Sequence, residues 1–77
     1  MTNHPAAEVV ASEVRAELAR QHRTAGDLAS VLQITPHTAG RRLRGEIPFD
    51  VIELVQIGLW LGVDPRRFIP GLDAAAS

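Results

Sequence analysis

The sequence predicts an all-α fold, a compact bundle of about five short helices, on three observations. No segment alternates apolar and polar residues with period two, so nothing reads as a half-buried strand. Val10, Val14 and Leu18 recur at four-residue spacing, which places them on one face of a helix. Downstream, helix-start and helix-stop residues alternate at short intervals and divide the chain into brief helical segments.

The first helix is expected over residues 7–22, with Glu8, Glu13, Arg15, Glu17 and Arg20 on its remaining faces. Thr24 then supplies an N-cap oxygen, and Asp27 an acid at the third helical position, a variant of the capping box. Leu28, Ala29 and Leu32 form the apolar side of a short second helix. Thr35-Pro36 starts a third: the threonine caps, and proline fits the first helical position because its missing N–H has no intrahelical partner there. That helix runs to about Arg44 and stops at Gly45. Asp50 and Glu53 repeat the capping logic, and Phe49 and Leu54 stand at staple positions. A fourth helix is expected over residues 51–61, ended by Gly62, with Val51, Leu54, Val55, Gly58 and Leu61 toward the core. Asp64-Pro65 begins a last helical turn, with Val63 and Phe68 again at staple spacing. Residues 71–77 carry no pattern and are expected to fray.

A chain of 77 residues, 45% hydrophobic, suits a single domain with an ordered part over about residues 7–70. It has no cysteine, which excludes a disulfide framework and a thiolate metal site. No apolar run reaches the roughly 18 residues of a membrane span. Residues 1–10 lack a basic stretch followed by an apolar one, so no signal peptide is expected, and a cytoplasmic location follows. The net charge of −1 argues against a strong nucleic-acid binder, but its distribution argues the other way. Residues 33–45 hold three arginines, one histidine and no acid, whereas residues 46–64 hold four acids and no base. The pattern predicts a basic end and an acidic end.

The break between the second and third helices is only about Gln33-Ile34, which forces a sharp turn. Ala29 is small enough for close helix approach, and Ile34 and Ala39 point back into the shared core. These positions resemble the helix-turn-helix of lambdoid phage repressors, Cro proteins and the wider XRE family. The resemblance covers about residues 10–68. It is carried by LASVLQITPHTAGRRLRGEIPF and ELVQIGLWLGVDPRRF, which look much like actinobacterial and mycobacteriophage members. It implies a bundle that binds double-stranded operator DNA, usually as a homodimer. The chain departs from the family at three positions. A turn position often held by glycine is Gln33, which would need a left-handed backbone. The glutamine that often opens the second helix and braces a phosphate is Ala25. A late core position of the third helix is Arg42, whose stem could lie on the core and whose head could face a phosphate.

Family geometry places the third helix in the major groove. Its base-facing positions match Pro36, His37, Gly40 and Arg41. Arg41 is the reader expected at guanine, since arginine to O6 and N7 is the commonest specific contact. Pro36 offers only van der Waals contact, and Gly40 permits close approach. Arg42 and Arg44 are expected on phosphates, joined by Thr24, Thr35 and Thr38 near helix starts. Each has a plainer reading beside it: caps for Thr24 and Thr35, a solvated surface for His37, the helix dipole for Arg44.

The fourth helix, VIELVQIGLWL, carries more apolar residues than one buried stripe needs. Ile52, Leu59 and Trp60 are left over and, with Phe68, suggest a dimer or partner interface. Trp60 has a second reading, folded over the first-helix side of the core. Catalysis is not expected. His4, His22 and His37 have no ligand-spaced partners, and no phosphate-binding loop follows a strand. No cofactor, metal or small-molecule substrate is therefore expected. The rival to DNA binding is a protein-interaction module, antitoxin-like or host-factor-binding, that uses the apolar fourth helix on the same scaffold.

Overall fold

Among the described residues of the computed structural model, four α-helices and a final 3-10 turn follow one another: α1 (Pro5–Arg20), α2 (Ala25–Leu32), α3 (Pro36–Leu43), α4 (Val51–Leu61) and the turn Pro65–Phe68. The structure describes residues 5–71; His4 and residues 72–77 of the tail expected to fray lie outside the described residues. Among the described residues there is no strand. α1 starts earlier than its apolar period predicts because Pro5 is compatible with a first helical turn.

The caps form as the sequence requires. Thr24 Oγ1 accepts from the Asp27 N–H, and the Asp27 carboxylate accepts from the Thr24 N–H, a reciprocal capping box. Asp50 and Glu53 make the same pair of bonds at the start of α4. Each helix ends on a left-handed residue: His22, Gln33, Gly45 and Gly62 have φ of 57°, 56°, 78° and 73°. In all four the next residue's N–H reaches back to close the turn: Arg23 to Leu18 O, Ile34 to Ala29 O, Glu46 to Arg41 O and Val63 to Gly58 O, at 2.9–3.0 Å. Gln33 does adopt the strained conformation that its place in the turn requires.

These reversals fold the chain around one cluster. Val14 and Leu18 of α1, Leu28, Ala29 and Leu32 of α2, Ala39 and Leu43 of α3, and Leu54, Ile57 and Leu61 of α4 meet there, closed by Phe68. α2 packs on α3 and α4, while the 3-10 turn bridges α4 and α1. The expected phase of α4 is corrected. Ile57 is fully buried, whereas Val51 and Val55, expected inside, are exposed. The cause is Glu53, a charged residue that is itself buried because its carboxylate caps the helix and faces Arg42. Gly58 sits where a side chain could not: a Cβ there would lie 2.7 Å from Val63 O.

Glu17 is the second buried acid. Its carboxylate accepts from Gln21 at 2.8 Å and from Arg20 at 2.7 Å, and Arg67 lies at 3.8 Å. Gln21 also donates to Leu61 O at 2.9 Å, which ties the end of α1 to the end of α4. The Gln21 hydrogen bond first, then Arg20, hold the Glu17 carboxyl below the usual glutamate range, against the opposing effect of burial. A carboxyl with a depressed folded pKa stabilises the fold above its unfolded pKa, and the contribution disappears as pH falls through the folded value. Glu17→Gln should therefore lower stability at neutral pH by about 1–2 kcal/mol, and the deficit should shrink as pH drops below about 4.3. Thermal melts of both proteins across that range check this; a deficit independent of pH contradicts it.

Candidate nucleic-acid interface

α3 is eight residues long and stands on its own cap. Thr35 Oγ1 accepts from the Thr38 N–H at 3.1 Å and donates to Thr38 Oγ1 at 3.0 Å. Ala39 and Leu43 turn inward, and Ile34 packs half-buried against the same core. The outward side then carries Pro36, His37, Arg41 and Arg44, all exposed, with Thr38 and Gly40 half-covered between them. Helix spacing thus brings the expected base-facing residues onto one side of a short helix. Thr24 is exposed at the start of α2, its hydroxyl engaged as a cap.

The charges on this face are arranged differently from the sequence expectation. Glu46, a residue sequence reasoning did not single out, takes both outward arginines. Its Oε1 lies 3.3 Å from Arg41 Nε and its Oε2 lies 2.7 Å from Arg44 Nε. The Arg44 hydrogen bond first, with further help from Arg41, holds the Glu46 carboxyl below its ordinary range, and the same bond raises the Arg44 guanidinium. Gly40 has a use within the protein as well, since a Cβ there would lie 3.2 Å from Arg44 NH1. Arg44 folds back over the gap in the helix surface.

Arg42 does not serve as expected. Its head points to the α3–α4 connection rather than outward. NH1 donates to Pro48 O at 2.6 Å, and Nε lies 3.2 Å from Glu53 Oε2, a charge contact not aligned as a hydrogen bond. The pair is largely covered and links α3 to α4, so in this structure the Arg42 head is engaged within the protein. A basic end and an acidic end therefore do not separate in space: Glu46 meets Arg41 and Arg44, and Glu53 meets Arg42. Arg15 supplies another tie, donating from α1 to Leu43 O at the end of α3.

On α4 the apolar surplus is real and differs in membership. Ile52 and Leu59 are 68% and 79% exposed, and Val51 at 71% and Val55 join them on the same outward side. Trp60 is half-buried against the core, with the Arg23 guanidinium 5.6 Å from its ring centre. Phe68 is corrected: at 1% exposure it closes the core and offers no surface to a partner. Among the described residues no group of three or more His, Cys, Asp or Glu could hold a metal ion. No described helix is long and apolar enough to cross a membrane.

No family model matches the chain, and no curated protein sequence matches it. Among solved structures it is similar to the crystal structure of the clp gene regulator ClgR from C. glutamicum. The TM-score is 0.78 at 16% identity, over 96% of this chain and 96% of that chain. At that identity the likeness is one of fold, and with the turn between α2 and α3 it makes this chain a small all-helical bundle of helix-turn-helix type.

Proposed function

We propose that the protein is a sequence-specific DNA-binding transcriptional regulator, a Cro-like or minimal repressor of the kind the sequence resembles, that places α3 in the major groove of an operator. The observation that carries this reading is the outward side of α3. A short helix, held from behind by α2, presents His37, Arg41 and Arg44 with no bulky apolar side chain between them. A groove about 12 Å wide admits such a helix. Arg41 is the base reader, with His37, Pro36 and Gly40 beside it. Arg44 and the hydroxyls of Thr24, Thr35 and Thr38 lie against phosphates. The likeness in fold to a gene regulator supports the same reading.

The exposed apolar side of α4 favours a second element, pairing with another copy of this chain through Ile52 and Leu59, with Val51 and Val55. One module of this size covers few base pairs, and two related by a two-fold axis would read an inverted repeat with half-sites about 34–36 Å apart. The alternative occupant of that face is an unrelated protein, which would make the chain an interaction module.

Arg41→Ala should cost about 1–3 kcal/mol of operator binding and relax the preference at one base pair. Arg44→Ala should weaken all sequences evenly and flatten the salt dependence. Arg42→Ala should instead lower thermal stability and leave the salt slope unchanged, because its partner is Glu53. Selection of bound sites from random duplexes, followed by titrations of the three variants, checks this; unchanged affinity in both outward variants contradicts the assignment of α3.

Leu59→Glu should keep the circular dichroism spectrum and melting temperature close to the original, because Leu59 touches little of its own chain. It should abolish self-association in sedimentation and on DNA. A folded variant that still pairs removes α4 from the interface, and a selected site without two-fold symmetry removes the dimer.

A further inference from the structure

We propose that Glu46 is an internal stand-in for DNA phosphate. Its carboxylate occupies the fork formed by Arg41 and Arg44 in the free protein and competes with the DNA backbone for both, thereby limiting how tightly DNA of arbitrary sequence is held. The inference rests on the reading of α3 as the DNA-contacting helix.

The geometry is built, not incidental. Gly45 turns the chain left-handed at φ 78°, and the Glu46 N–H then donates to Arg41 O at 3.0 Å. The backbone of Glu46 is thus pinned to the residue whose side chain its carboxylate meets. Each carboxylate oxygen takes one guanidinium, Oε1 with Arg41 and Oε2 with Arg44. Gly40 leaves the space in which Arg44 lies back toward this position. An acid just beyond the C-terminus of α3 faces the negative end of the helix dipole, so helix stability gives no reason for one there. Two guanidinium groups and one carboxylate leave a local charge near +1, where the arginines alone would offer +2.

Carboxylate and phosphodiester oxygens make the same charge-assisted bonds to arginine. Engaging a phosphate therefore exchanges one anion for another, and Arg41 and Arg44 contribute less on arbitrary DNA than they would without Glu46. On a cognate site the O6 and N7 acceptors of a guanine add contacts that Glu46 cannot supply.

The test is a titration of a random-sequence duplex, at several salt concentrations, with the unaltered protein, Glu46→Gln, and Glu46→Gln combined with Arg41→Ala and Arg44→Ala. Circular dichroism confirms that each is folded. Glu46→Gln should bind about three- to tenfold more tightly, with a salt slope steeper by about one. The gain should vanish when both arginines are removed. If the unaltered protein binds DNA through Arg41 and Arg44 and Glu46→Gln binds no more tightly, the inference falls and the reading of α3 stands. A gain that persists without the arginines also overturns it. If neither the unaltered protein nor Glu46→Gln binds DNA, both fall together.

Discussion

The fold depends on the way its helices end. Each of the four α-helices stops on a left-handed residue whose follower's N–H reaches back five residues to a carbonyl of the last turn. This satisfies carbonyls that would otherwise be orphaned and reverses the chain within two residues. At Gly45 and Gly62 the conformation is inexpensive; at His22 and Gln33 a side chain is carried into it. The Gln33 reversal matters most for the proposed DNA contact. It runs directly into the Thr35 cap, and the polar side of α3 stays outside. The Gly45 reversal then returns Glu46 to the two arginines of that side.

A core of short aliphatic side chains and one phenylalanine is modest for a domain, and polar ties between helices complete it. Arg15 holds the end of α3, Gln21 holds the end of α4, and Arg42 with Glu53 joins α3 to α4. Arg42 and Glu53, and Glu17 which accepts from Gln21, are ionisable side chains buried or largely covered. Removing one member of such a pair leaves a covered charge without its partner, which costs more than the intact pair contributes.

Much of this was legible in the sequence. Thr24 with Asp27, Thr35 with Pro36, and Asp50 with Glu53 marked the three internal helix starts, because caps are local chemistry. The left-handed Gln33 was legible only through the family resemblance, as a turn position often held by glycine. The phase of α4 was not legible. Glu53 reads as an outward residue until Arg42 is known to face it, and that pairing spans two helices. The same pair turns the half-covered Arg42 head toward α4 and the α3–α4 connection. Phe68 reads two ways in the sequence, at staple spacing with Val63 and as an aromatic beside the surplus of α4, and only the packing against α1 and α4 decides for the core. Glu46 gave the opposite difficulty: its run of sequence, RRLRGE, holds the signal, but only the turn at Gly45 shows that the acid doubles back rather than continuing away.

On the proposed function, the outward side of α3 is the surface that meets DNA. Amide chemical shifts followed by NMR during titration with a duplex carrying a selected site test it directly. The account predicts the largest changes at His37, Thr38, Arg41 and Arg44, with the indole of Trp60 unmoved. Changes confined to the exposed side of α4 around Ile52 and Leu59, with α3 silent, would contradict it.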